Sequence, residues 1–324
     1  MIALPMIAAL SWANPPPLQV DLHLDTPTQL LRQETGLEGA ELEAGLAQLK
    51  AGGTNVAVQV LWPPRNSDHH AHALHLLELL EAEESRLDGV TRVHTPEEAR
   101  AVVAQGGIAT LLSLEGAHGL GGDAWRENLQ ALHRRGLRLL GLTWSFSNRF
   151  AGSSGDGGGG LTEEGRELVA MAQGLGIIID LSHASEQTTL EVCRQSTLPV
   201  IASHSNAASL APHSRNLSDE AIQCIAARGG VIGLNFHATF VGRGKDIQAL
   251  ADHADHLRQV GGPGVVALGS DFDGLIRPVR GLENASRIPA LLEALRQRGW
   301  SEAEVQGLQG RNFLETWEMA TASP

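Results

Sequence analysis

Short apolar runs rich in leucine and β-branched residues recur along the chain, each bounded by Gly, Pro or polar residues and separated by stretches with helical spacing. Runs of this kind are buried on both faces and read as parallel strands. Eight are present: Leu18–Leu24, Thr54–Val60, Ile108–Leu114, Leu137–Thr143, Gly176–Leu181, Pro199–Ser203, Gly230–Asn235 and Val265–Ser270. Helical segments between them include Ala71–Glu84, Pro96–Gln105, Thr162–Leu175, Ser218–Arg228 and Ile247–Val260. Thr95-Pro96-Glu97-Glu98 and Ser218-Asp219-Glu220 read as helix starts, a capping hydroxyl followed by acids in the first turn. Strands alternating with helical crossovers predict an α/β fold, and eight of them favour a TIM-type (β/α)8 barrel over an open doubly wound sheet.

Length agrees, since 324 residues exceed the roughly 250 that such a barrel needs and leave room for insertions. No linker rich in Pro, Ser or charge divides the chain, so residues 1–324 are expected to form a single domain with an N-terminal extension over residues 1–17. A formal charge of -13 without a Lys/Arg cluster excludes the footprint of a nucleic-acid binder and leaves small molecules as partners. Cys193 and Cys224 are the only cysteines, which excludes a disulfide framework and an all-cysteine metal site while leaving one bridge open. Fourteen histidines turn attention to His/carboxylate metal chemistry, although surface or core roles are the commoner fate of any one of them.

Met1 to Ala13 is apolar and ends in Ser11-Trp12-Ala13, but no Lys or Arg precedes it, so a signal peptide is not expected. No run approaches the ~20 apolar residues of a membrane span, and Glu315 to Pro324 lacks the hydrophobic tail of a lipid-anchor signal. The expectation is a cytoplasmic protein without a membrane partner, with room for a homodimer. The loop Gly152–Gly160 is no phosphate-binding loop, because no Gly-Lys-Ser/Thr follows. It reads equally as a flexible connection or as a mobile flap over a site at the strand ends.

Histidines and carboxylates stand where strands end. The first strand finishes Asp21-Leu-His-Leu-Asp-Thr-Pro27, and alternation puts His23 and Asp25 on one side, able to grip one metal. Alone this pair is better explained as hydrogen-bonded strand-end polar groups. Glu115 lies where an apolar run meets Gly116, a costly place for an unpaired carboxylate. It suits either a salt bridge to an arginine or a carboxylate shared by two metal ions. The fifth strand ends Asp180-Leu-Ser-His183 and the sixth Ser203-His-Ser-Asn206; each histidine alone is more readily structural, but together they would converge on one rim. The eighth ends Gly269-Ser-Asp-Phe-Asp-Gly274, placing Asp271 opposite the first strand across the barrel mouth as a proton carrier. Asp273-Gly274 has turn chemistry, so Asp273 is assigned to structure.

This ordered set, together with Leu114-Glu-Gly116, Ser214-Arg-Asn216, Gly229 to Phe236 and Gly310-Arg-Asn-Phe-Leu314 in the last helix, resembles the membrane (renal) dipeptidase family over nearly the whole chain. The resemblance implies a binuclear zinc dipeptidase with two Zn2+ per chain. It implies that His23 and Asp25 hold one ion, that His183 and His204 hold the other, and that Glu115 bridges them. Two such ions lower the pKa of a shared water, and the resulting hydroxide is the expected nucleophile. The resemblance makes Asp271 and Glu115 the catalytic carboxylates, Asp271 moving the proton from water to the leaving amine. Arg215 then looks like the clamp for the free C-terminal carboxylate of a small dipeptide.

One position departs from the animal enzymes, which carry Leu-Thr-His after the fourth strand where this chain has Leu142-Thr143-Trp144. Trp144 borders the substrate on this reading, donates one N–H and cannot take a charge, so the oxyanion must be stabilised differently. His118, His213 and His237 are candidate substitutes. His69-His70-x-His72-x-x-His75 reads as the polar start of a helix, and His253 and His256 as structural residues of the helix before the eighth strand. Two further readings stand beside the dipeptidase: a metal-dependent amidohydrolase acting on N-acyl amino acids or lactam and lactone rings, and a barrel that binds ligand without catalysis.

Overall fold

A computed structural model describes residues 17–322, so the extension over residues 1–17 and the reading of Met1 to Ala13 as a non-signal lie, apart from Pro17, outside the described residues. Nine strands follow in chain order: β1 Val20–Leu24, β2 Val56–Leu61, β3 Val90–Arg92, β4 Ile108–Leu114, β5 Leu137–Gly141, β6 Ile178–Asp180, β7 Val200–Ile201, β8 Ile232–Leu234 and β9 Val266–Leu268. All pairings between them are parallel, in the order β1-β2-β4-β5-β6-β7 and separately β8-β9. Parallel bridges from Ala202 to Ile232 and from Leu24 to Phe272 join the two groups and close the ring, so eight strands form a TIM-type barrel.

Each of those eight coincides with a run that the sequence marks as a strand. The ninth, β3, does not. It is only three residues long with Val90 alone buried, so no apolar run announces it. It forms because β5 pairs only with the end of β4, from Leu112 to Leu114, leaving the start of β4 free to take Val90–Arg92. Closure also corrects the expected place of Asp271. In a ring the first and last strands are neighbours, so Asp271 lies beside β1 and not across the mouth from it: its N–H donates to the His23 carbonyl at 3.1 Å.

Alternation along the strands builds the interior. Val20, Val58, Leu111, Leu139, Ile178, Ile201, Val231 and Ala267 come from all sides of the ring and pack in one cluster with Phe313 and Trp317 of the helix Asn312–Thr321. Residues of opposite parity, such as Leu112, Leu140 and Val200, pack outward against the helices. Continuing the inward parity past the strand ends brings Glu115, Asp180 and Ser203 to the top of this apolar plug, where all three are buried. The foundation of the site is therefore a close-packed core, which resists small displacements.

The helices His69–Arg86, Pro96–Ala104, Glu163–Gly174, Asp219–Ala227 and Ile247–Gly261 occur where their periodicity places them. Thr95 and Ser218 cap as expected, accepting from the N–H groups of Glu98 and Ala221. The motif Gly310 to Leu314 is not wholly inside the last helix: Gly310 and Arg311 belong to a π turn, Gly307–Arg311, that precedes it. A Cβ at Gly310 would stand 2.8 Å from the Leu18 carbonyl oxygen, so the close approach of β1's leading residues requires glycine there. Cys193 and Cys224 are joined in a disulfide with Cα atoms 6.0 Å apart, tying Glu186–Gln195 to Asp219–Ala227. Among the described residues no helix is long and apolar enough to cross a membrane.

Gly233 of β8 and Gly269 after β9 face the Ser203 carbonyl, and a Cβ on either would run into that oxygen. Gly269→Ala is therefore expected to destabilise the fold by about 3 kcal/mol through overpacking. Gly174→Ala has nothing within 4 Å of the new carbon and is expected to be neutral or stabilising. Urea denaturation of the two variants measures the contrast, and equal midpoints would refute the close-approach role of Gly269.

Candidate metal centre

The end of β1 is irregular in a way that shapes the site. Asp21 pairs with Ala57 but Leu24 pairs with Gln59, so β1 carries one extra residue across this interval, a bulge that re-aims its last side chains. Asp25 follows, its N–H held by the Phe272 carbonyl at 3.0 Å, and Thr26–Gln33 turns away as a helix. Glu115 leaves β4 with its N–H on the Leu61 carbonyl, and Gly116, at φ 95°, makes the turn behind it. His183, Asp271 and Asp273 adopt left-handed backbone, with φ of 67°, 66° and 64°. Such conformations in non-glycine residues cost of order 1 kcal/mol each and concentrate at functional sites. A Cβ at Gly274 would lie 2.7 Å from both Asp25 Oδ2 and Asp271 Oδ1, so only glycine allows those two carboxylates to share this space.

These turns bring the expected residues together. Glu115 Oε1 lies 2.9 Å from His183 Nε2, 3.6 Å from His204 Nε2 and 3.7 Å from His23 Nε2. Asp25 Oδ2 is 3.5 Å from His23 Nε2, and the Nε2 atoms of His183 and His204 are 3.1 Å apart. Three donor sets fall within metal-binding reach: His23, Asp25 and Glu115; Glu115, His183 and His204; His23, His204 and Asp271. Every one of these six side chains is buried.

Charge in this space is poorly balanced by the protein alone. Burial raises Glu115 well above the ordinary carboxylate range; His23 opposes this and Asp25 and Asp271 add to it. Burial likewise pushes Asp271 up to about 7, again with His23 opposing and Asp25 reinforcing. Burial disfavours a charged His23, yet Glu115 and then Asp25 outweigh it and lift the imidazole to about 10. His183 and His204 are driven well below the usual histidine value, by burial first and then by Arg215 and His23 respectively. The pocket thus demands a cation and recruits His23 as one. His23 Nε2 has no hydrogen-bond partner among the described residues. An unpartnered imidazole nitrogen amid oxygen and nitrogen donors fits a divalent metal of the zinc type.

A cavity of about 380 Å³ opens over these groups, within the range of small-ligand clefts. Trp62, Trp144, Phe240 and Leu275 contribute apolar wall, and its polar lining includes Arg215, Asp271, Asp25, Glu115, His183 and His237. Trp144 packs against Trp62 with the rings tilted and their centres 5.0 Å apart, and its ring centre is 6.2 Å from that of His183. Arg215 is buried with its guanidinium carbon 5.5 Å from the centre of the Phe240 ring, and its Nε has no partner among the described residues. Asn235 donates from Nδ2 to Asp271 Oδ2 at 3.0 Å. Of the three histidines considered as substitutes for the family histidine, only His237 lines this cavity.

Other polar groups take structural places. Asp273 accepts from Thr26 Oγ1 and the Glu43 N–H, both at 2.8 Å, pinning two loops together. His69 and His70 contact the carbonyls of Arg65 and Gly119, and none of the four clustered histidines belongs to a metal-binding group among the described residues. His253 Nδ1 accepts from the Ala207 N–H, and His256 pairs with Asp219. The Gly152–Gly160 loop is fastened at its base from Gly152 N–H to Gly160 carbonyl and reaches the site through Ser154 N–H to the His183 carbonyl. Sequence reasoning assigned no role to Asn235, Asp180, Ser203, Trp62 or Phe240. Asn235 and Ser203 end predicted strands and Asp180 stands one residue before the end of another, the one available signal; Trp62 lies in a loop and Phe240 in the short helix Ala238–Val241, and neither carries one.

Comparison with known proteins bears on the family and the fold. The sequence profile of the membrane dipeptidase family, peptidase family M19, matches residues 17–323. The chain is 38% identical over 216 residues to dipeptidase aclJ of Aspergillus oryzae, covering 64% of this chain and 51% of that protein. It is 34% identical over 248 residues to dipeptidase verJ of Clonostachys rogersoniana, covering 74% and 62%. The chain therefore spans about half the length of the first of these relatives. Among solved structures it resembles dipeptidase AC, a metallopeptidase of family M19, with a TM-score of 0.86 at 30% identity over 95% of this chain and 100% of that one. A metallopeptidase from Rhodobacter sphaeroides, liganded with a phosphinate mimic of the dipeptide L-Ala-D-Ala, gives 0.84 at 30% identity over 94% and 99%.

His118 lies outside the cavity, buried with Nε2 2.9 Å from the Pro63 carbonyl and Nδ1 without a partner. Burial lowers it from 6.5 to about 4, the Pro63 contact opposing and His69 assisting. The unfolded chain binds this proton between those two values and the folded chain does not. Stability from the neutral ring is therefore complete above the unfolded value of 6.5 and is lost as pH falls toward about 4. Between pH 7.5 and 4.5 the parent protein is expected to lose roughly 2 kcal/mol more than His118→Gln, by urea titration. Parallel losses in the two proteins would remove His118 from the acid response.

Proposed function

Since the chain belongs to the membrane dipeptidase family, we propose that it is a metal-dependent dipeptidase, built as a single catalytic domain, that holds two zinc ions and hydrolyses small dipeptides with a free C-terminal carboxylate. The observation that carries this reading is one carboxylate oxygen, Glu115 Oε1, within 3.7 Å of three imidazole Nε2 atoms inside a buried, cation-seeking pocket. His23 and Asp25 would hold one ion and His183 and His204 the other, with Glu115 common to both. Zinc, when bound, supplies Lewis acidity and a nucleophile at neutral pH.

The chain's own residues divide the remaining work. Asp271 holds the proton that must travel from the attacking water to the leaving amine; its buried carboxyl group lines the cavity alongside Glu115 and Arg215. Asn235 fixes its orientation through Oδ2 and leaves Oδ1 free to face the cavity. Arg215 offers the substrate carboxylate a charge-assisted partner, and the ring of Phe240 beside it limits how far the guanidinium can swing. Trp144 and Trp62 exclude water from the reacting bond and shape the side-chain space. A relative of 30% identity is liganded with a dipeptide mimic, which supports a dipeptide as the substrate class.

Glu115→Ala is expected to abolish activity together with metal retention, because a single change removes a ligand common to both ions. Metal analysis after dialysis reads this, and two zinc ions retained per chain would contradict the shared role. Asp271→Asn is expected to keep its metal while kcat falls by about 10²–10⁴-fold; an unaltered kcat removes Asp271 from proton transfer. Arg215→Ala is expected to raise KM for free dipeptides by roughly ten- to a hundredfold, the worth of a charged hydrogen bond. Hydrolysis of C-terminally amidated dipeptides as readily as free ones by the parent enzyme would refute the clamp, and turnover of N-acyl amino acids alone would replace the dipeptidase by an amidohydrolase.

A further inference from the structure

Ser203 is fully buried two residues beyond β7, and its hydroxyl has four polar neighbours. Asp180 Oδ2 lies 2.5 Å from Ser203 Oγ, His204 Nδ1 2.8 Å, His23 Nδ1 3.3 Å and Ser182 Oγ 3.4 Å. A hydroxyl has one proton to give and two lone pairs to receive with. The other oxygen of Asp180, Oδ1, already accepts from the N–H groups of Ser182 at 3.0 Å and Ser203 at 2.8 Å. Asp180 is thus an acceptor on every side, and the short contact to Oδ2 takes the hydroxyl proton. The lone pairs of Ser203 Oγ are left facing the two ring nitrogens and, farther off at 3.4 Å, the Ser182 hydroxyl, and an N–H on each ring satisfies them at the shorter distances.

A proton on Nδ1 of a neutral imidazole leaves Nε2 bare, and the Nε2 atoms of both rings face Glu115 Oε1, at 3.6 and 3.7 Å. We infer that Asp180 and Ser203 form a positioning relay in which one hydroxyl holds Nδ1–H on His23 and on His204 at once, preparing an Nε2 ligand for each of the two metal ions. The inference rests on the metal-centre reading above. Metal-binding histidines generally donate their second N–H to an oxygen that fixes ring and tautomer, and losing that partner weakens binding by about 10–100-fold. Here a single oxygen serves two rings whose centres are only 3.7 Å apart. The two metal sites are therefore coupled through Ser203 as well as through Glu115. His183 stands apart from the relay, its Nδ1 3.4 Å from Ser145 Oγ.

Nitrogen-15 NMR of the metal-free protein labelled at histidine reads the tautomer directly. His204 is the reporter, because a charged His23 carries protons on both nitrogens. The expected state of His204 is Nδ1–H; a dominant Nε2–H form would overturn the relay. Asp180→Asn keeps the shape and one acceptor oxygen but turns an amide N–H toward Ser203 Oγ, which forces the hydroxyl proton toward His204. That variant is expected to convert His204 to Nε2–H and to weaken zinc binding by about 10–100-fold in chelator competition. In a Ser203→Ala background the same substitution is expected to change zinc affinity by no more than about threefold, because nothing remains to carry the reversal. An equal loss in both backgrounds, or zinc binding by Asp180→Asn indistinguishable from the parent, would refute the relay. Absence of zinc binding by the parent protein would instead refute the metal centre, and the His204 tautomer would still decide the relay.

Discussion

Three carboxylates, Asp25, Glu115 and Asp271, are buried within a few ångströms of one another at the mouth of the barrel, and the rest of the site follows from that crowding. Like charges at such range cannot all ionise in a low-dielectric pocket without a cation to balance them. The protein by itself offers Arg215 and an imidazole, His23, which is pulled up to about 10 in spite of its burial. A side chain that must be neutral to act as a ligand is thereby conscripted as a counter-ion. A metal cation bound among these donors would resolve both demands, neutralising the carboxylates and leaving His23 free to act as a ligand.

Holding this arrangement requires backbone that few sequences tolerate. Left-handed conformations at His183, Asp271 and Asp273 and the glycine at 274 all occur in the short connections just past strand ends. Their cost is sustained because the strands below are anchored in a close-packed interior sealed by Phe313 and Trp317. Hydrogen bonds from below complete the support: Asp21 accepts from Ser270, Asp180 from Ser203, and Asn235 restrains Asp271. Side chains that carry chemistry therefore sit on rigid strand tips, and the cavity walls that set substrate shape come from longer loops. A barrel rim allows the two to vary separately.

Much of this was readable in the residues because a parallel strand buried on both faces writes a predominantly apolar run, and the eight ring strands do so even where a polar residue such as Asp21, Gln59 or Arg138 interrupts them. Val90–Arg92 escaped notice because its pairing depends on an edge of β4 that becomes free only when β5 begins late, a tertiary fact with no local signature. The six residues of the candidate centre were legible as polar side chains abruptly ending apolar runs. Asp271 was legible in kind but not in place, since only closure of the ring decides which strands are neighbours. Ser203 and Asp180 were unreadable as supports because serine and aspartate at strand ends are ordinary turn and cap formers. Trp62 reaches the cavity from a loop and Phe240 from the four-residue helix Ala238–Val241, far apart in the chain, and nothing in the local composition says where either lands.

Trp144 shows how a single position in the wall can alter the chemistry that the centre supports without touching it. An imidazole there would be able to carry a positive charge, but it would do so in the cavity that Arg215 already lines, adding a second cationic group to it. Indole removes that option and gains area: Trp144 packs against Trp62 at 5.0 Å and contacts Phe146 edge-on, making an apolar wall. His237, the one candidate substitute lining this space, enters from the opposite wall beside Phe240, and its ring is itself held neutral by burial. The wall thus presents hydrophobic enclosure where an imidazole could have carried charge, and the polar groups of the cavity are left to its other sides.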